Sequence, residues 1–298
     1  MQVIPVKVFF GRIVTVQNTP ISTNKTLRLR DRLLDLSVPA VMGVINCTPD
    51  SFYAGSRKQT TSDLLNQAEK MVKEGAAILD IGGYSSRPGA DDVTESEELQ
   101  RTITMIGMLH KYFPETPVSI DTFRLEVARQ ALDAGACIIN DITAGLHDMN
   151  MIALAASHHC AMIMMHMRGT PKTMTSMTNY EDVVKEVTLF LEQRVRAALE
   201  AGVSDVIIDP GFGFAKSVDQ NFEMVRGFGH FSAIGRPVLA GLSRKSMIWR
   251  TLGISPEESL NGTTVLNTIA LQRGASILRV HDVREAVECV RLHTRSTF

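Results

Sequence analysis

Residues 206–216 read V-I-I-D-P-G-F-G-F-A-K. V-I-I is the kind of short β-branched run that lies buried on both faces of a parallel sheet, and a carboxylate ending it is costly unless paired. Locally, Asp209 reads as the opening of a turn, because Asp-Pro-Gly is good turn chemistry. The rest of the chain repeats the same event, and the repetition decides between a turn residue and a site.

From residue 38 onward, short apolar runs alternate with longer amphipathic stretches. The runs are V-P-A-V-M-G-V-I (38–45), A-A-I-L (76–79), P-V-S-I (117–120), C-I-I (137–139), A-M-I-M-M (161–165), V-I-I (206–208), P-V-L-A (237–240) and A-S-I-L (275–278). Between them lie helical patterns such as residues 63–74 and 181–200. Several of these end in Gly just before the next strand (E-G-A-A, D-A-G-A, E-A-G-V, R-G-A-S), where a left-handed residue stops a helix and turns the chain. Eight strands alternating with eight helices predict an α/β fold of one parallel, eight-stranded (β/α)8 barrel, the TIM-barrel architecture. An open doubly wound sheet usually carries a Gly-rich phosphate turn after its first strand, and here that place reads N-C-T-P-D-S-F.

The totals fit one large domain. The chain has 298 residues, 44% hydrophobic and 21% charged, with net charge −1. Near-neutral charge argues against nucleic acid or an anionic membrane as partner, while leaving room for a small anion held by a few local cations. No apolar stretch approaches a membrane span, and the N-terminus lacks a basic signal-peptide region. Four scattered cysteines, without a C-x-x-C pair, fit reduced thiols and a cytoplasmic location. His158, His159 and Cys160 are adjacent, and neighbouring residues rarely converge on one ion. In residues 1–26, the runs V-K-V-F-F and I-V-T-V flank Gly11-Arg12 as a hairpin would. This extension either plugs one end of the barrel or hangs from it, with the barrel assigned to residues 27–298.

Each strand ends in polar residues. In order they are Asn46, Asp80, Asp121, Asn140-Asp141, His166, Asp209, Ser243-Arg244-Lys245 and Arg279-x-His281. All lie at C-terminal strand ends, the face on which barrel active sites are built, so eight such endings at one mouth read as a site. Asp121, Asn140 and Asp209 suit a planar heterocycle with N–H donors and carbonyl acceptors. Arg279 and His281, beside a helix start at Asp282, suit a phosphate group. Bland readings stand beside these. Asp80 reads equally as an orienter of the following G-G turn, Asp141 and Asp282 as helix caps, His166 as a satisfied strand-end histidine, and Lys245 as charge balance for Asp209. Two polar loops, residues 48–55 and 82–90, are long enough to act as lids.

The stretches G-V-I-N-C-T-P-D-S-F, D-I-G-G-Y-S-S-R-P-G-A, I-D-T, N-D-I, D-P-G-F-G-F-A-K, G-L-S-R-K-S and R-V-H-D-V closely resemble, in order and spacing, the motif set of bacterial dihydropteroate synthases. The resemblance runs from about residue 27 to the C-terminus. It implies a homodimeric (β/α)8 transferase of folate biosynthesis, with Mg2+ as cofactor. Such an enzyme joins 4-aminobenzoate to 6-hydroxymethyl-7,8-dihydropterin diphosphate, and sulfonamides mimic the aminobenzoate. It implies Asp121, Asn140, Asp209 and Lys245 as the pterin pocket, and Asn46, Arg279 and His281 as diphosphate ligands, Asn46 partly through Mg2+. It implies Phe214, Pro88, Ser246 and Lys245 around aminobenzoate, with Asp50, Ser86 and Arg87 on the closing loops. Asp121, Asp209, Lys245, Asp50 and Arg87 then carry catalysis.

One departure stands out. The family's second loop usually reads S-T-R-P-G preceded by Glu, where this chain has Ser86, with Tyr84 before Ser85. Ser86 keeps the hydroxyl and loses a methyl, so function is expected to survive with a modest shift in aminobenzoate or sulfonamide affinity. Two rivals are a methyltetrahydrofolate-binding methyltransferase barrel with a corrinoid partner and a pterin-binding protein without catalysis. The first has no need of S-R-P-G, S-R-K-S or the terminal R-x-H. The second is expected to lack Asp50, Arg87 or Lys245. A fusion with the pathway's pyrophosphokinase finds no room in this length.

Overall fold

Leu27 and Leu29, with Arg28 between them, lie in a strand of alternating apolar and polar residues. The computed structural model describes residues 25–30, 32–47, 61–84 and 93–297. In it, β1 (Thr26–Leu29) and β2 (Arg32–Asp35) pair antiparallel, Thr26 opposite Asp35. The hairpin read around Gly11-Arg12 lies outside the described residues. Eight further strands follow: β3 (Ala40–Asn46), β4 (Ile78–Gly82), β5 (Val118–Asp121), β6 (Ile138–Asp141), β7 (Ala161–Met165), β8 (Val206–Asp209), β9 (Leu239–Ala240) and β10 (Ile277–Val280). Each overlaps one of the eight apolar runs.

Every neighbouring pair is parallel, in the order β8-β7-β6-β5-β4-β3-β10-β9. The ring closes through one parallel bridge between Ile208 and Val238. The seam is short because Pro237 cannot donate to a ladder; its carbonyl instead accepts from Ile208 N at 3.0 Å. This is the predicted (β/α)8 barrel.

The helices are α1 (Thr61–Glu74), α2 (Glu95–Tyr112), α3 (Leu125–Ala134), α4 (Asn150–Ser157), α5 (Val183–Glu200), α6 (Val218–Arg226), α7 (Ser246–Leu252), α8 (Leu260–Gln272) and α9 (Val283–Thr297). Among the described residues this is one more than the expected eight, because two helices join β9 to β10. Their starts follow capping rules. Thr94 and Glu97 form a reciprocal box before α2, as do Ser217 and Gln220 before α6, and Asp182 caps Lys185 N of α5. The predicted stop glycines Gly75, Gly135, Gly202 and Gly274 all have positive φ. No helix among the described residues is long and apolar enough to cross a membrane.

Strand periodicity divides the core in two. Val41, Leu79, Ile139, Met162 and Leu278 face outward to the helices. Met42, Ile78, Ile138, Ile163, Ile207, Leu239 and Ile277 face inward, where Leu27, Leu29 and Leu36 of the hairpin segment close over them. The β1–β2 hairpin, inside the segment assigned to the barrel, therefore plugs the barrel's N-terminal end, while residues 1–24 lie outside the described residues. Leu27 is fully buried in it. Leu27→Ala is expected to cost about 2–5 kcal/mol through the cavity left behind. Thermal melting would read this as a lowered Tm with unchanged substrate KM values, since the plug lies at the end opposite the strand-end polar residues.

Candidate active site

A strand places every second side chain on the same face. Two residues beyond the inward apolar layer, the inward positions are Asp80 after Ile78, Asn140 after Ile138, Met165 after Ile163, Asp209 after Ile207, Gly241 after Leu239 and Arg279 after Ile277. Asp121 joins them two residues after the buried Ser119. The next inward layer is thus polar, and this answers why a carboxylate ends V-I-I. The cleft above it is lined by Asp121, Asn140, Ile142, Met165, Asp209 and Phe212, and by Phe214, Gly241, Lys245 and Arg279.

Arg279 organises the floor. Its Nε donates to Asp80 Oδ2 at 2.7 Å, and its Nη2 donates to Asp121 Oδ2 at 2.6 Å. Asn140 Nδ2 also donates to Asp80 Oδ2, at 3.1 Å. Asp80 is completely buried. Its carboxylate holds two cleft residues rather than the G-G turn, so it acts by positioning. Burial, opposed by Arg279, pushes the Asp121 carboxyl up to about 7. Burial likewise raises Asp209, against the pull of the Gly211 N–H, which donates to Asp209 Oδ1 at 2.8 Å, and of Lys245. For Arg279, burial works against the charge, but Asp80 and Asp121 outweigh it and raise its pKa further. The site therefore holds a permanent cation near two carboxyls, Asp121 and Asp209, that ionise less readily than usual.

Lys245 completes one wall, its ammonium 4.5 Å from the centroid of the Phe214 ring. Ser246 follows it as the first residue of α7. His281 Nδ1 lies 2.9 Å from Ser243 Oγ, which also accepts from the His281 backbone N–H at 3.2 Å. Ser243 thereby fixes the imidazole. Asn46 ends β3 beside β4, its Oδ1 3.7 Å from where a Cβ on Gly82 would stand. Asp50, Ser86, Arg87 and Pro88 lie outside the described residues. Tyr84, at the root of the second loop, packs edge-on to Phe123 at 5.2 Å and under Arg124 at 5.4 Å.

Not every strand-end polar residue reaches the mouth. Asp141 and His166 sit one residue past an inward position and so turn outward. Asp141 accepts from Thr143 N, Thr143 Oγ1 and Gly145 N, each at 2.7 Å. It builds the turn after β6, whereas Asp148 accepts from Asn150 N at the start of α4. His166 packs edge-on to Phe190 of α5 at 4.9 Å and contacts Lys216. The idea of eight converging strand ends is corrected to this extent: Met165, not His166, represents β7 in the cleft. Arg244 also turns away, donating to both oxygens of Asp282 at 2.9 and 2.8 Å.

A divalent cation finds no ready-made cage. Among the described residues, no three His, Cys, Asp or Glu side chains cluster as a metal site. A single amide oxygen such as Asn46 does fit the usual magnesium arrangement, in which substrate phosphates and water supply most ligands.

Residues 42–281 match the family model described as pterin binding enzyme. The dihydropteroate synthase of Haemophilus influenzae is 41% identical over 268 residues, which is 89% of this chain and 97% of that one. The Yersinia pestis dihydropteroate synthase, solved with a sulfonamide drug complex, superposes with TM-score 0.87 at 35% identity, covering 91% of this chain and 99% of that one. The Xanthomonas albilineans enzyme, solved with 4-aminobenzoic acid, gives TM-score 0.85 at 39% identity, covering 92% and 98%. Matched to that model over most of its length and 41% identical to a relative it covers almost end to end, the chain belongs to the dihydropteroate synthase family of pterin binding enzymes.

Proposed function

We propose that the cleft condenses 6-hydroxymethyl-7,8-dihydropterin diphosphate with 4-aminobenzoate, giving 7,8-dihydropteroate and diphosphate as a transferase step of folate biosynthesis. The observation that carries this is the inward polar layer, in which Asp121, Asn140, Asp209, Lys245 and Arg279 meet around one cleft. Asp209 accepts hydrogen bonds from the amidine-like edge of the pterin, and Asn140 both donates and accepts. Phe214 and Lys245 form the aminobenzoate wall, with Ser246 near the carboxylate, and the family resemblance assigns Pro88 to the same subsite. Asn46, Arg279 and His281 take the diphosphate, with the start of α9 behind them.

The chemistry is a dissociative substitution driven by electrostatics. The methylene C–O bond breaks with its electron pair leaving on diphosphate, and the dihydropterin ring delocalises the positive charge. Asp121 and Asp209 stabilise that charge, while Arg279, His281 and Arg87 stabilise the leaving group. The arylamine, neutral at pH 7, attacks the methylene and then loses one proton, so it needs no strong general base. Held by Asn46 and the substrate's phosphates, Mg2+ would neutralise charge on the diphosphate. The family resemblance assigns Asp50 and Arg87 to roles beside the bound substrates.

The same reading includes a cytoplasmic homodimer. All four cysteines are buried thiols, which supports a reducing compartment. Met247 and Ile248 pack into the core, so they do not offer a subunit surface, but Leu252, Val265 and Leu292 on the last three helices are 56%, 50% and 72% exposed.

The test is product analysis with purified protein, the pterin diphosphate, 4-aminobenzoate and Mg2+. Dihydropteroate is the expected product. Tight pterin binding without product would favour a binding protein, and methyl transfer from methyltetrahydrofolate to a corrinoid protein would favour the methyltransferase rival.

A further inference from the structure

Residues 209–216 contain a side chain that the proposed mechanism leaves unused. Lys216 is buried, yet its ammonium meets three acceptors: Gly211 O at 2.9 Å, Phe214 O at 3.0 Å and His166 Nδ1 at 3.0 Å. An ammonium has three N–H donors, and here each finds a partner.

The loop it serves is unusual in its backbone. Gly211, Gly213 and Ala215 have φ of 73°, 80° and 50°, so left-handed residues alternate along it. Along this path Phe212 stacks on Phe228 at 6.1 Å at the base of the cleft, while Phe214 lines it beside Lys245. A chain wound this way cannot join a ladder, and beside one backbone bond, from Phe214 N to Gly211 O at 3.2 Å, side chains tie it down. Asp209 takes the Gly211 N–H at 2.8 Å, and Asn221 Oδ1 takes the Gly213 N–H at 2.7 Å. Lys216 takes the two carbonyls. Its third bond reaches the outward-facing His166 and so ties the loop to the end of β7. The fit there is close, since a Cβ on Gly211 would stand 2.1 Å from His166 O.

We propose that Lys216 is a positioning residue that sets the Phe214 wall of the 4-aminobenzoate subsite by clamping loop 209–216 onto β7. This inference rests on the assignment of Phe214 to aminobenzoate made above. Stability alone does not call for a lysine here, because burying an amine is costly. Burial pushes the Lys216 amine down to about 7, opposed by Asp209 of β8 and reinforced by Lys245 and by Arg168 after β7. His166 faces it uncharged, its imidazole held down to about 2 by burial and then by Lys216 and Arg168. The alternative is that Lys216 serves only as charge balance for Asp209. The two roles separate in kinetics: a clamp governs aminobenzoate, whereas charge balance governs the pterin.

The experiment compares Lys216→Met and Phe214→Ala with the wild-type protein, measuring KM for 4-aminobenzoate, kcat, and Kd for the pterin diphosphate. Lys216→Met is expected to raise the aminobenzoate KM about tenfold while changing the pterin Kd less than about threefold. Combined with Phe214→Ala it should add little, because both changes act on one wall. Lys216→Gln, which keeps two N–H donors for the carbonyls, should recover much of the loss. If Lys216→Met does not fold, the same split read on Lys216→Gln decides: a small rise confined to the aminobenzoate KM supports the clamp, and any other pattern overturns it. A raised KM in Phe214→Ala with an unchanged KM in Lys216→Met overturns the clamp alone. An equal rise in pterin Kd and aminobenzoate KM in Lys216→Met also overturns it, in favour of charge balance. An unchanged KM in Phe214→Ala overturns the aminobenzoate assignment itself, and the inference with it.

Discussion

Asp209→Asn is expected to weaken binding of the pterin diphosphate about a hundredfold while leaving the protein at least as stable as the wild type at neutral pH. The two effects share one cause. Asp209 is buried, and one oxygen is already held by the Gly211 N–H, which an asparagine oxygen can also accept. The other oxygen lies toward Gly241, on the lining of the cleft. In the proposed pterin pose the amide presents N–H there in place of the acceptor, so a donor meets a donor. The same change removes a carboxylate whose ionised form burial disfavours. The sign follows from linkage. With its pKa raised above 3.8, native Asp209 holds a proton that the unfolded chain has lost, so its contribution to stability falls as pH rises above that value. Asp121, raised from 3.8 to about 7, contributes with the same sign across that window. As pH rises above 3.8, Tm should therefore fall less steeply for Asp209→Asn than for the wild type. Calorimetric titration of both proteins with the pterin diphosphate checks the first half of the expectation, and unchanged affinity would remove Asp209 from its assigned role.

The second large effect belongs to Arg279. Replacing it with methionine leaves Asp80 and Asp121 facing each other without the cation that bridges them at 2.6–2.7 Å. Breaking a buried pair from one side typically costs about 3–5 kcal/mol, because the stranded charge remains. A marked loss of denaturant midpoint is expected, together with a loss of turnover of about a hundred- to a thousandfold from the missing leaving-group stabilisation. Adding Asp80→Asn should restore much of the stability and none of the turnover. Restoration of both would mean that Arg279 acts only as a strut.

Strand parity explains what could be read from the sequence. Ile207 and Asp209, Ile277 and Arg279, and Ile138 and Asn140 are each two apart, so placing the strands also placed these side chains in the mouth. The same rule sets Asp141 and His166 outside it, one residue off, although composition alone puts them with the rest. Asp80 obeys the rule, but its job could not be read, because that depends on Arg279, 199 residues away. The plug was legible in hindsight: T-L-R-L alternates as a half-buried strand should, yet its arginines make it look like surface. Lys216 gave no signal, since its three bonds depend on the left-handed path of the loop before it.

Diphosphate departure and aminobenzoate attack are proposed as successive steps of one turnover at this cleft, so sustained diphosphate release needs the amine to consume the cation. The most direct test follows diphosphate and dihydropteroate together in a single reaction, with 4-aminobenzoate present or omitted. The account predicts equal amounts of both products and little diphosphate release when aminobenzoate is left out. Diphosphate released at the same rate without aminobenzoate, or released with no dihydropteroate beside it, would contradict it.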